Sequence, residues 1–233
     1  MVAKKIFLKW LTPFAIVVLS TNCSKDPIKT DSLDIWLPDG LKSIFFVGVD
    51  SYWVMAGNSF GTAYQDSLYV TKTIHDTVDI IHPGNGEPIG KKEQFEIHYT
   101  SIWYGSYYII KSEALDYCDD GNFNEPCHFV VLETYREGEL SGRERIFFFP
   151  ANEGEAYSIA QNGLAGAQLR LDSIHNDFTI RDNTFDLVYQ MFSDRDFINQ
   201  KPETVRLIAP GVGIIRWVTT TIDWEVIRYN IKN

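Results

Sequence analysis

Residues 94–103 read Gln94-Phe95-Glu96-Ile97-His98-Tyr99-Thr100-Ser101-Ile102-Trp103, and they carry the clearest two-residue period in the chain. Phe95, Ile97 and Tyr99 point to one side, and Glu96, His98 and Thr100 to the other. A side-chain period of two is that of a strand, and one apolar face opposite one polar face marks a half-buried strand of an antiparallel sheet.

The pattern extends in both directions. Upstream, residues 82–90 (HPGNGEPIG) hold Pro83, Gly84, Gly86, Pro88 and Gly90 and predict a loop. Before it, 44–49 (IFFVGV), 51–56 (SYWVMA), 66–73 (DSLYVTKT) and 77–81 (TVDII) read as strands, with a lead-in loop at 36–40 and a turn at 57–61. Downstream, 107–111, 128–136, 143–149, 169–171, 178–180, 185–192, 204–208, 212–219 and 223–229 read as strands. The segment EGELSG between Arg136 and Arg143 predicts a hairpin with a longer loop, and 157–168 leaves a short helix open, limited by Gly163 and Gly166. The sum is about a dozen short strands with no alternation of strand and helix, hence an all-β antiparallel fold with little helix. No repeat or internal linker divides residues 33–233, so one domain is expected there.

Composition agrees. Aromatic residues make up 14% of the 233, and long runs of Ala, Leu, Glu and Lys are few. The net charge is −10, and the only charges in residues 1–22 are Lys4, Lys5 and Lys9, which leaves −13 on residues 23–233. Such a surface repels phosphate backbones and argues against nucleic acid as a partner.

The first 22 residues read as a leader. Three lysines precede an apolar run from Trp10 to Leu19, which is signal-peptide length and too short to cross a bilayer as a helix. Cys23 follows at once and predicts a lipidated cysteine, with residues 23–32 as a polar, proline-containing tether. Two or more acyl chains would give a stable membrane anchor. Export places Cys118 and Cys127 in an oxidising compartment, and the turn-forming loop between them predicts a disulfide.

Several motifs invite chemistry. Gly57-Asn58-Ser59-Phe60-Gly61 matches the G-x-S-x-G nucleophile elbow, but a strand pattern follows where that elbow needs a helix, so Ser59 as a hydrolase nucleophile is a distant alternative to a hairpin turn. Asp120, Asn122 and Asn124 offer oxygens at alternate positions and form a weak calcium candidate without the glycine and glutamate of an EF-hand. The histidines at 75, 82, 98, 128 and 175 lack metal-ligand spacing, and no cofactor is expected. Trp103, Tyr104, Tyr107 and Tyr108 cluster as core residues or as ligand contacts. Pro210, Gly211 and Gly213 predict a structural turn or bulge, since proline fixes φ and glycine takes positive φ freely.

The string Ala209-Pro210-Gly211-Val212-Gly213-Ile214-Ile215-Arg216 resembles an A-P-G-V-G-[LI]-[IV]-K motif near the end of uncharacterised lipoproteins of the Bacteroidota. Tyr52-Trp53-Val54, Asp66-Ser67-Leu68-Tyr69-Val70 and Thr184-Phe185-Asp186-Leu187-Val188-Tyr189 agree in order, and Arg216 stands where lysine is usual. The resemblance implies a strongly curved antiparallel sheet, half-barrel or sandwich-like, anchored in the cell envelope at the outer membrane. It brings no catalytic residues. The function expected is non-catalytic: an envelope β-domain binding an apolar small molecule, with a surface glycan- or protein-binding module as the alternative.

Overall fold

The computed structural model describes residues 33–102, 106–115, 127–158, 168–194 and 202–232. Among the described residues the chain is all-β apart from one helix, α1 (Asp39–Phe45). The strands are β1 (Tyr52–Ser59), β2 (Thr62–Ile81), β3 (Pro88–Ser101), β4 (Tyr107–Leu115), β5 (Cys127–Arg136), β6 (Glu139–Phe149), β7 (Ala156–Ser158), β8 (Gln168–Ile180), β9 (Asn183–Ser193), β10 (Thr204–Ala209), β11 (Gly213–Thr219) and β12 (Ile222–Asn230). They form one 12-stranded sheet in the order β6-β5-β4-β3-β2-β1-β12-β11-β10-β9-β8-β7. Every ladder is antiparallel between neighbours in that order.

This order places two six-strand meanders side by side. Their seam is the β1–β12 ladder, which joins the two ends of the domain, and their free edges are β6 and β7. The sheet curls until those edges approach. Phe147 on β6 meets Tyr189 on β9 with ring centroids 5.4 Å apart, and Glu144 on β6 reaches Arg206 on β10 at 2.7 Å. The barrel stays open because β7 is three residues long and pairs with β8, not β6.

The alternation of residues 94–103 sets the inward face. Phe95, Ile97 and Tyr99 are buried, and the same register turns Leu68, Val70, Tyr108, Ile110 and Leu132 to the same side of the neighbouring strands. Two expected pairs of strands are single long ones: 66–73 and 77–81 lie in β2, and 169–171 and 178–180 in β8. The expected long loop at 137–142 is a two-residue turn, with Glu137 and Gly138 both at positive φ.

The strand expected at 44–49 is corrected: Ile44 and Phe45 end α1, and Asp39 and Gly40, read as loop, begin it. Leu41, Ile44 and Phe45, spaced three and four apart, are all buried, while Asp39 complements the helix dipole in the first turn. A β-branched and aromatic run looked like a strand because its burial is one-sided over a single turn. The helix fills one end of the curl. Phe45 stacks edge-on against Phe147 at 5.4 Å, and a side chain at Gly40 would collide with the Phe149 ring.

Residues 33–35 run parallel beside the first half of β3, where β4 does not reach. Leu33 and Ile35 N–H groups donate to the Ile89 and Lys91 carbonyls, and Ile35 accepts from Glu93 N–H. Glu93 then anchors the helix. Its carboxylate accepts from Leu37 N–H (2.9 Å) and pairs with Lys42 (3.3 Å) and His75 (2.6 Å). Burial pushes the Glu93 carboxyl up, but His75, the Leu37 N–H and Lys42 outweigh it and hold it below its ordinary value.

Candidate functional site

At the end opposite the helix, the curl is hollow. A cavity of about 1130 Å³ opens there, slightly more than the roughly 300–1,000 Å³ that holds a drug-sized molecule. Its mouth lies among the β1–β2, β5–β6 and β11–β12 turns, where Phe60, Glu137 and Thr221 line it. Its walls come from both meanders: Trp53 and Met55 on β1, Leu68 on β2, Tyr99 on β3, Tyr108 and Ile110 on β4, Leu132 on β5, Ile214 and Trp217 on β11, and Trp224 on β12.

The floor is the turn between β10 and β11. Pro210–Val212 form it, with Gly211 at φ +71 and Gly213 at φ +84. The indole N–H of Trp53 donates to the Val212 carbonyl at 2.8 Å, and Gly211 N–H donates to the Ser43 carbonyl near the end of α1. One turn therefore separates the packed end from the hollow end and is bonded to both. Trp53 also packs on Tyr99, ring centroids 5.3 Å apart, and burial pushes the Tyr99 phenol up, keeping it protonated.

One row of side chains crosses the wall from β10 to β2: Arg206, Trp217, Trp224, Gly57 and Tyr64 are successive cross-strand neighbours. Tyr64 and Trp224 stack at 6.4 Å and 6°, bridging Gly57 between them. A Cβ on Gly57 would strike the Asp223 carbonyl, so the ladder closes there only with glycine. The G-x-S-x-G motif thus has structural reasons for both glycines. Gly61, with Phe60, supplies the positive-φ pair of a two-residue hairpin turn. Ser59 pairs with Thr62 and Ile222, and a strand, not a helix, follows.

At the end of that row Arg206 is fully buried. Its guanidinium carbon sits 5.1 Å from the Trp217 ring centroid, and Nη1 donates to Ser193 Oγ at 3.5 Å. Nη2 forms an ion pair with Glu144 Oε1 at 2.7 Å. Among the described residues, Arg206 Nε–H and Trp217 Nε1–H have no hydrogen-bond partner, and solvent does not reach them. A buried donor left unmet costs about 1–3 kcal/mol, so two on adjacent cavity-lining residues are a feature that needs a cause. Asp66, a buried carboxylate on the cavity wall, accepts from Ser101 Oγ at 2.5 Å and from Ser67 N–H at 2.7 Å.

The outward face of β3–β6 carries a different polar group. Glu133 pairs with Lys111 (2.6 Å) and Arg143 (3.2 Å), and Glu113 with Arg143 (2.7 Å) and Arg145 (3.0 Å). Burial pushes the Glu113 carboxyl up, but the two arginines prevail and hold it low. Every acid there is matched by a base, which is the arrangement of a structural network.

Of the aromatic cluster expected as ligand contacts, Tyr108 lines the cavity. Tyr107 faces outward, bonded to His98 and packed edge-on against Tyr135 at 5.7 Å. Trp103 and Tyr104 lie outside the described residues, as do Cys23, Cys118 and the calcium candidates Asp120, Asn122 and Asn124. Cys127 opens β5. Among the described residues no three His, Cys, Asp or Glu side chains gather as a metal site. Trp53, Trp217, Trp224, Arg206 and Glu144 were not anticipated as a group. The available signals were a lone arginine inside the apolar strand TVRLIA and two tryptophans mirrored across the turn at 220–221. No protein-family model, curated protein or solved structure matches the chain.

Proposed function

We propose that this protein is a lipid-anchored lipoprotein of the outer membrane, attached through Cys23, whose β-domain carries an apolar small molecule in the cavity. The cavity carries the reading. It is large, open at one end, formed by both halves of the sheet, and walled by Trp53, Met55, Leu68, Tyr99, Ile110 and Leu132. Burying apolar surface there gains roughly 25 cal/mol per Å², which suits a ligand with a long hydrocarbon body.

Native mass spectrometry of the chain from Ser24 onward, exported without its lipid, tests the reading. A co-purifying mass in the range of an acyl lipid or quinone, lost when the cavity is filled by Thr134→Phe, is the expected result. A protein that stays free of added apolar molecules would overturn it and favour a surface-binding module.

A further inference from the structure

We infer that the cavity selects an apolar molecule bearing an uncharged oxygen acceptor, such as an ester or ketone carbonyl, and that the N–H groups of Arg206 and Trp217 recognise that oxygen. The inference rests on the apolar-ligand reading and names the ligand's polar end.

The first observation is the pair of unmet donors. Arg206 Nε–H and Trp217 Nε1–H belong to direct cross-strand neighbours, both lining the cavity, and neither has a hydrogen-bond partner among the described residues. Both side chains can only donate, so what is missing is an acceptor; a hydroxyl or amine acting as donor leaves the deficit in place.

The second is the local charge. Arg206 is already paired with Glu144, and Asp66 is a further carboxylate on the cavity wall, away from the Arg136 and Glu137 rim. Among the described residues inside the rim, one cation faces two carboxylates. A carboxylate or phosphate head would meet net repulsion after losing its hydration, and a cationic head would leave both N–H groups unmet. A neutral carbonyl accepts two hydrogen bonds without adding charge.

The third is the cover. The guanidinium lies against the Trp217 ring, and solvent reaches neither free N–H. Trp217 itself is half-buried. Binding therefore turns the indole so that its N–H and that of Arg206 converge on the ligand, and Trp217 emission should report it.

The test is a competition by native mass spectrometry, with hexadecane, methyl hexadecanoate and hexadecanoate offered together to the chain from Ser24 onward. The ester should exceed the alkane by at least about tenfold in affinity and also exceed the carboxylate. Trp217→Phe, which keeps an aromatic ring and removes the donor, should bring the ester down to the alkane's level while the alkane still binds. Arg206→Met combined with Glu144→Gln, which avoids stranding a buried charge, should do the same. Equal binding of ester and alkane to the native protein would overturn the inference while leaving the apolar-ligand reading intact. So would a preference for the carboxylate, or an ester preference that survives Trp217→Phe. Failure of all three probes to bind would overturn both.

Discussion

The two ends of the curled sheet are built from the same strands and differ in what fills them. At one end α1 inserts Leu41, Ile44 and Phe45 among Phe95, Val130 and Phe147, and the interior is close-packed. At the other, inward residues of similar type, Leu68, Tyr99, Ile110 and Trp224, surround about 1130 Å³ of space. Composition does not separate the ends; the helix does. A curled 12-stranded sheet encloses more volume than its own side chains fill, so what is not plugged by another element stays open to a ligand.

The largest effect expected from this difference is in core truncation. Phe45→Ala should cost about 3–5 kcal/mol of unfolding free energy in urea, as large-to-small changes do in a close-packed site. Leu68→Ala, on the cavity wall, should cost less than about 2 kcal/mol, because the space it leaves joins space already present. Equal losses would mean that the two ends are packed alike.

Next come two glycines on the inward face. Gly57→Ala drives a methyl into the Asp223 carbonyl and should cost about 1–3 kcal/mol or more. Gly142, whose Cβ would meet nothing closer than Thr134 at 3.8 Å, should accept alanine within about 0.5 kcal/mol. At the floor between the ends, Gly211→Val places a β-branched residue at φ +71. It should lower stability by about 1–2 kcal/mol, read as a lower melting temperature. A variant that melts like the parent would contradict the turn's role.

The pH response should belong to the packed end. Burial holds the His128 imidazole below its ordinary 6.5, so the unfolded chain takes up the proton first and stability falls as pH drops below about 6.5. The Glu93 carboxyl, held low by its partners, adds stability that is present above its ordinary 4.5 and is lost as pH falls further. His128→Leu should remove the first decline and Glu93→Gln the second, followed by urea midpoints across pH. The smallest effect is at the mouth: Phe60, 78% exposed, should tolerate serine within about 0.5 kcal/mol.

Much of this architecture could be read from the chain before its structure. Alternation located nearly every strand, because one face of each is buried and the other wet. It divided β2 and β8, where the curl leaves stretches such as Ile74–Thr77 half-buried or exposed on both faces and erases the period. It missed α1, whose apolar residues are those a strand prefers. The site was the least legible part. Tyr108 was found because aromatics cluster around it, but the row from Arg206 to Tyr64 exists only once five strands are in register. No local pattern encodes that row. Gly57 was noticed for its motif, and its role, a close approach to β12, depends on a strand 166 residues further along.

The central claim is that the open end holds a ligand and the plugged end does not. Tryptophan quenching by a dibrominated long-chain ester addresses it directly, since Trp53, Trp217 and Trp224 all line the cavity. The account predicts saturable quenching by the ester that Thr134→Phe abolishes and Phe45→Leu leaves in place. Quenching that never saturates, or that is the same with the cavity filled, would contradict it.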